Sequence, residues 1–192
     1  MTVLSQHTSD VNTARAFAGL KERFPRWDEV VCAPPRRVAD AIRSGGLADQ
    51  KAPRIQAILR EVERREGALR LDRLRELPDA EVEDYLCSLP GVGPKTAACV
   101  LVFSLGRAAF PIDTHVHRVT KRLGWIPENA SADKAHVLLK QTVPPDLRYE
   151  LHVQLITHGR TICTARMPRC SECVLLDVCD AGPRLLAAGE AR

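Results

Sequence analysis

The chain has 192 residues, of which 45% are hydrophobic and 27% charged, a composition typical of a folded globular protein rather than a disordered one. No apolar run reaches membrane-spanning length, and the polar N-terminus is unlike a signal peptide, so we expect a cytoplasmic protein. The seven cysteines are an odd number in a chain without a secretory signal, which argues against a disulfide framework.

The net charge of +4 is concentrated in one part of the chain. Residues 85–127 carry five basic side chains and a single carboxylate, Asp113, which accounts for the whole excess. Residues 153–171 add three arginines and no acid. These stretches predict a surface that faces phosphate groups.

Apolar residues recur at three- and four-residue steps along most of the chain, which predicts an all-α fold. Val11, Ala14, Phe17, Ala18 and Phe24 mark the apolar face of the first helix.

Further helix boundaries are indicated by glycines, prolines and one aspartate. Gly45-Gly46 is predicted to close a helix, and Asp79 is predicted to cap the start of another. The short Gly/Ala/Arg tail after Cys179 has no periodic pattern and is expected to be frayed.

The run Leu89-Pro90-Gly91-Val92-Gly93 lies between two predicted helices and indicates a helix-hairpin-helix at residues 81–106. Glycines allow a sharp turn and a close approach of another molecule. Free N–H groups at the start of the second helix can then hold a phosphate oxygen without reading the base. Gly91 and Gly93 are therefore predicted DNA contacts, with a simple interhelical turn as the alternative.

Lys95 and Asp113 are the candidate catalytic residues. Lys95 lies in the first turn of the second helix, where the helix dipole disfavours a cation, so its amine is a candidate for Schiff-base chemistry. A phosphate contact is the alternative for Lys95. Asp113 precedes a predicted helix start, where a simple N-cap is the alternative, but its isolation among basic residues favours a functional role.

Four of the cysteines are crowded near the C-terminus, with six, two and five residues between them: Cys163, Cys170, Cys173 and Cys179. Four thiolates in one loop can bind a zinc ion or a cubane iron–sulfur cluster, and this spacing favours [4Fe–4S] over zinc. Arg166 and Arg169 lie inside the loop and are predicted to face a DNA backbone. Cys32, Cys87 and Cys99 are expected to behave as small buried hydrophobes.

Taken together, the LPGVGPKTA run, the Asp113-Thr114-His115 step and the cysteine spacing resemble the endonuclease III branch of the helix-hairpin-helix DNA glycosylases. The resemblance implies a six-helix lobe at 1–109 and a second helical lobe at 110–192, which holds the cluster loop 163–179 and a short tail. The N-terminal helix of the family is expected to be absent from this chain. The resemblance also implies that the partner is double-stranded damaged DNA and not a membrane. The protein is expected to be a nucleoid-associated monomer.

By the same resemblance, Lys95 attacks C1′ of a flipped nucleotide, displaces an oxidised pyrimidine and cleaves the strand by β-elimination, with Asp113 assisting. The two residues would come from different lobes. Leu47, directly after Gly45-Gly46, matches a leucine that wedges into the duplex, while a core leucine is the alternative. Gln6 or His7 would fill the gap left by the flipped base.

Three other functions remain compatible with parts of this pattern. The nearest is a uracil or mismatch glycosylase of the same superfamily, which would not form a covalent imine. A second is a non-catalytic DNA-binding module, and a third is an electron-transfer protein built around the cluster. The helix-hairpin-helix argues against the third.

Overall fold

The computed structural model describes all 192 residues, and its regular elements are helices, which confirms the predicted all-α fold. The α-helices are α1 Asp10–Arg23, α2 Trp27–Cys32, α3 Pro35–Ala41, α4 Ala48–Glu66, α5 Asp79–Cys87, α6 Pro94–Leu105, α7 Thr114–Arg122, α8 Ala132–Thr142, α9 Arg148–Thr161 and α10 Gly182–Ala187. Single 3-10 turns lie at Arg43–Gly45, Asp72–Arg75, Pro145–Leu147, Cys170–Glu172 and Leu176–Val178. No helix combines the length and the apolar character needed to cross a membrane.

The chain divides into two compact units, Met1–Val100 and Leu101–Arg192. The lobe limits inferred from the sequence, 1–109 and 110–192, stay a prediction. Each unit has its own buried apolar cluster. The first cluster contains Leu4, Ala16, Leu20, Phe24, Val30, Val38, Ala39, Ile42, Ala48, Ala52 and Ile55. The second contains Phe110, Ile112, Val116, Val119, Leu123, Ile126, Ala130, Ala135, Leu139, Val143 and Leu155.

Helix α1 forms as predicted, but only Phe17 and Phe24 of the predicted apolar face pack against the core. Its buried residues are Thr13, Ala16 and Leu20, whereas Val11 is 68% exposed. Thr13 can enter the core because its Oγ1 donates a hydrogen bond to the carbonyl oxygen of Ser9 at 2.9 Å. The apolar pattern alone was misleading because a threonine with a satisfied hydroxyl packs like a small apolar residue.

Two predicted helix boundaries are shifted. Asp79 is the first residue of α5, and Pro78 occupies the N-cap position instead. Helix α3 ends at Ala41, ahead of the predicted end at Gly45-Gly46. A separate 3-10 turn, Arg43–Gly45, follows it. Proline can start a helix without losing a hydrogen bond, since the first N–H groups have no partner within the helix.

The C-terminal tail was predicted to be frayed, and this is wrong. It forms α10, and the end of the chain is held by backbone hydrogen bonds to the cysteine loop. Arg192 N donates to Pro168 O at 3.0 Å, and Ser171 N donates to Arg192 O at 3.1 Å. These bonds need partners distant in sequence, which a local pattern does not reveal.

Candidate DNA-binding and catalytic site

The turn between α5 and α6 is tight, anchored on one side and open on the other. Leu89 and Val92 are buried, and Val92 N donates to Leu89 O at 3.1 Å. Gly91 has a φ of +69°, in the left-handed region that side chains disfavour. A Cβ on Gly93 would meet nothing within 4 Å. The backbone at Gly93 is therefore open to the approach of another molecule.

Lys95 is the second residue of α6, directly after this turn. Its side chain is exposed, while the next residue, Thr96, is buried and fixes that helical turn against the unit. Lys95 therefore lies on a fixed backbone, and its amine is accessible to a ligand. A nucleophile must be accessible in this way.

The structure distinguishes Gln6 from His7. Gln6 Nε2 donates to Thr96 Oγ1 at 3.1 Å and to Gly91 O at 3.5 Å, and Arg54 Nη1 donates to Gln6 Oε1 at 3.2 Å. Gln6 is thus tied to the hairpin turn. His7 is exposed and has a φ of +54°.

Leu47 lies at the tip of the turn before α4. It is 48% exposed and has a φ of +50°, so it is not the core leucine of the alternative interpretation. Gly46, just before it, has a φ of +68° and open space where a Cβ would lie. Two successive left-handed residues present the leucine side chain to solvent.

In the second unit, Asp113 is the N-cap of α7. Its Oδ1 accepts hydrogen bonds from His115 N at 2.9 Å and Val116 N at 2.8 Å. Both bonds go to one oxygen, so Oδ2 is left for another partner. Phe110 and Ile112 are buried just before Asp113 and fix the approach of the chain to the helix. The carboxylate is therefore a cap held in one orientation, which does not exclude a second role.

The four loop cysteines line one pocket, whose other walls are largely apolar. No three His, Cys, Asp or Glu side chains in the chain are arranged to hold a single metal ion. Burial, followed by the charges of the three neighbouring cysteines, raises the pKa of the Cys170 thiol. Such crowded thiols need the positive charge of a metal group to remain ionised. Four sulfurs around a shared space fit a cluster better than one ion.

Two arginines of α7 hold the cysteine loop, which corrects the prediction that they form part of a phosphate-facing surface. Arg118 Nε donates to Cys163 O at 3.0 Å, and its Nη2 donates to Gly159 O at 2.7 Å. Arg122 Nη1 donates to Thr164 O at 2.7 Å and approaches the Cys163 sulfur at 3.3 Å. The spacing of four residues places both guanidinium groups on one face of the helix, a signal that was available in the sequence.

Gly182 is a second element of the cysteine pocket that no local pattern in the sequence indicated. A Cβ there would lie 2.7 Å from Leu176 Cδ1 and 3.5 Å from Cys179 Sγ. Its backbone N donates to Cys179 Sγ at 3.3 Å, a bond that a cluster-bound thiolate would also accept.

The two loop arginines differ. Arg169 Nε donates to Glu172 Oε1 at 3.0 Å, and this ion pair lowers the pKa of the Glu172 carboxyl group. Arg166 is exposed. Of the two predicted backbone contacts, Arg166 is the one whose charge is not already paired within the loop.

Sequence comparisons find two family models in this chain. Residues 1–145 match the model of the HhH-GPD superfamily of base excision DNA repair proteins. Residues 163–179 match the iron–sulfur binding domain of endonuclease III, so the chain carries this domain, as the cysteine spacing predicted.

Individual relatives are similar over most of the chain. A protein of Arabidopsis thaliana described as a candidate DNA glycosylase is 45% identical over 162 residues, which are 84% of this chain and 55% of the relative. The chain thus spans about half the length of that protein. Endonuclease III of Thermotoga maritima is 37% identical over 179 residues, covering 93% of this chain and 79% of the relative. A solved endonuclease III trapped as a covalent intermediate on DNA superposes with a TM-score of 0.82 at 31% identity, covering 96% of this chain and 82% of that one.

Proposed function

Because the chain belongs to the HhH-GPD superfamily of base excision DNA repair proteins, we propose that it is a DNA glycosylase with AP lyase activity on damaged double-stranded DNA. The observation that carries this proposal is the exposed Lys95 in the first turn of α6, directly after the glycine turn. The covalent DNA intermediate of a similar endonuclease III supports a nucleophilic mechanism.

In this mechanism the lone pair of Lys95 Nζ attacks C1′ of an extruded nucleotide. The glycosidic bond breaks, and the base leaves with the bonding electrons and takes up a proton. The sugar ring then opens to an imine, loss of a C2′ proton expels the 3′ phosphate, and hydrolysis of the imine releases Lys95. Asp113 stabilises the positive charge that develops on the sugar, through the carboxylate oxygen that does not cap α7. The substrates are oxidised pyrimidines.

The contacts to DNA follow from exposure and backbone geometry. The turn at Gly91 and Gly93 binds a phosphate through backbone N–H groups, and Arg166 adds a cation. Leu47 enters the duplex, and His7 fills the gap left by the extruded base, because Gln6 is already engaged with the hairpin turn. Cys163, Cys170, Cys173 and Cys179 would hold the cluster, which would cross-link the loop that carries Arg166.

Borohydride trapping tests this function directly. The iron-loaded protein is mixed with duplex DNA containing thymine glycol or an abasic site, and the imine is reduced to a stable adduct. We expect an adduct with the parent chain and none with Lys95→Ala. Lys134→Ala is the control, because Lys134 is an exposed lysine on α8.

The remaining outcomes separate the competing functions. Base release without trapping identifies a monofunctional uracil or mismatch glycosylase, and DNA binding without base release identifies a non-catalytic module. Either result contradicts the role of Lys95 as a nucleophile.

A further inference from the structure

Backbone strain in this chain is confined to two residues. Apart from glycines, only His7 and Leu47 have positive φ angles, at +54° and +50°. Such conformations persist where the surrounding structure holds them, and they concentrate at functional sites. Both side chains are exposed, and both lie in the first unit. The segments that carry them are forty residues apart in sequence.

A buried lysine contacts both segments. Lys51 is 2% exposed, and its Nζ donates to Leu4 O and to Gly45 O, each at 2.8 Å. Leu4 precedes His7 by three residues, and Gly45 precedes Leu47 by two. The backbone N of Lys51 also donates to Leu47 O at 2.9 Å. One residue therefore bonds to both strained segments.

The surroundings of Lys51 make its role hard to explain by stability alone. Its ammonium group has two carbonyl partners and no ion pair, and burial lowers the pKa of its amine. A buried charge without a counter-ion destabilises a fold, and an apolar side chain of similar volume would fill the same space at less cost. The packing is also tight, since a Cβ on Gly45 would lie 3.0 Å from Ala16 Cβ and 3.9 Å from Leu4 O.

We propose that Lys51 is a positioning residue that joins the Leu4 and Gly45 carbonyls and so presents His7 and Leu47 to the DNA duplex as one rigid pair. This inference rests on the proposed function, because it assigns both side chains to base extrusion. Lys51 itself touches neither DNA nor the reacting atoms.

The proposal predicts a defect that depends on the substrate. Lys51→Met keeps the length and bulk of the side chain but removes the bonds from Nζ. We expect borohydride trapping at an abasic site in fully paired DNA to slow by roughly ten- to a hundredfold, as a small misplacement of catalytic geometry would produce. Trapping at an abasic site in an unpaired bulge, where the nucleotide is already extruded, should stay within about twofold of the parent. Lys134→Met is the control, and it should be unchanged on both substrates.

A double variant tests whether Lys51 acts through the leucine. Leu47→Ala alone should show the same preference for the bulged substrate. Adding Lys51→Met to Leu47→Ala should then slow trapping on paired DNA by less than it does alone, since residues that act together are non-additive. If Lys51→Met does not fold, as judged by iron content and circular dichroism, Lys51→Gln keeps one neutral donor group and carries the same test.

Two outcomes would overturn the proposal. An equal loss on paired and bulged DNA would show that Lys51 only supports the fold. Full additivity with Leu47→Ala would show that it acts elsewhere. Absence of trapping by the parent chain on both substrates is a different result, because it removes the proposed function and this inference with it.

Discussion

Replacing Gly91 with alanine tests whether the hairpin turn is built as the structure indicates. Gly91 has a φ of +69°, and an added Cβ would lie 2.6 Å from both Cδ and Nε of Arg54. Such a contact is too short to persist, so the Arg54 side chain must move. Its hydrogen bond to Gln6 is then lost, and the tie between the N-terminal segment and the hairpin is weakened.

The expected cost has two parts. A left-handed backbone costs a residue with a side chain roughly 1–2 kcal/mol. Loss of the Arg54–Gln6 hydrogen bond adds about 0.5–1.5 kcal/mol. We therefore expect Gly91→Ala to lower the free energy of unfolding of the first unit by roughly 1.5–3.5 kcal/mol.

Gly67 supplies the matched control. It has the same φ of +69° and lies in the same unit, but a Cβ there would meet nothing within 4 Å. Gly67→Ala should therefore show the backbone part alone, about 1–2 kcal/mol. Adding Arg54→Ala to Gly91→Ala should remove the clash and reduce the measured effect of the glycine substitution to that of Gly67→Ala.

The assay is urea unfolding followed by tryptophan fluorescence. The chain has two tryptophans, so a Trp125→Phe background leaves Trp27 as a reporter of the first unit. Gly93→Ala completes the set, because it should leave stability unchanged and weaken DNA binding, as expected for a site of close phosphate approach. If Gly91→Ala costs no more than Gly67→Ala, Arg54 does not pack on the turn and the reasoning fails.

Three further predictions concern the second unit. Asp113→Asn keeps the cap of α7, so stability to urea should stay nearly unchanged while strand cleavage falls. Asp113→Ala removes the cap as well and should also cost about 1 kcal/mol of stability. Full cleavage by the Asn variant would contradict a role for the charge. Arg122→Ala frees the Thr164 and Ala165 carbonyls and should lower the iron retained after dialysis, while Lys121→Ala should retain it all. Gly124→Ala should destabilise this unit more than Gly106→Ala, measured by Trp125 fluorescence, because both φ angles are positive but only a Cβ at Gly124 would collide with Asp180; equal losses would refute the contact.

The helices and the cysteine set were readable from the sequence because they depend on local spacing. Local patterns of a few residues predict the hairpin turn, the cap at Asp113 and the four cysteine ligands. The buried face of α1 was misread because a threonine can be buried once its hydroxyl is bonded to a nearby carbonyl.

The contacts that organise the site could not be predicted from the sequence, because they join residues far apart in the chain. Arg54 reaches Gln6 across 48 positions, and Arg122 reaches the loop carbonyls across more than forty. Basic residues such as Arg118 were interpreted as phosphate ligands, since composition cannot show whether a guanidinium group faces solvent or a carbonyl oxygen. The strain at His7 and Leu47 is also invisible in the sequence, because positive φ angles are uncommon for any residue other than glycine and no local pattern marked these two positions.

Helix α7 joins the Asp113 cap to the cysteine loop. Its nine residues begin directly after Asp113 and end at Arg122, whose guanidinium group is bonded to the loop. If Asp113 acts as proposed, release of the cysteine loop should therefore reduce strand cleavage through α7, while the hairpin turn lies in the first unit and should keep its structure.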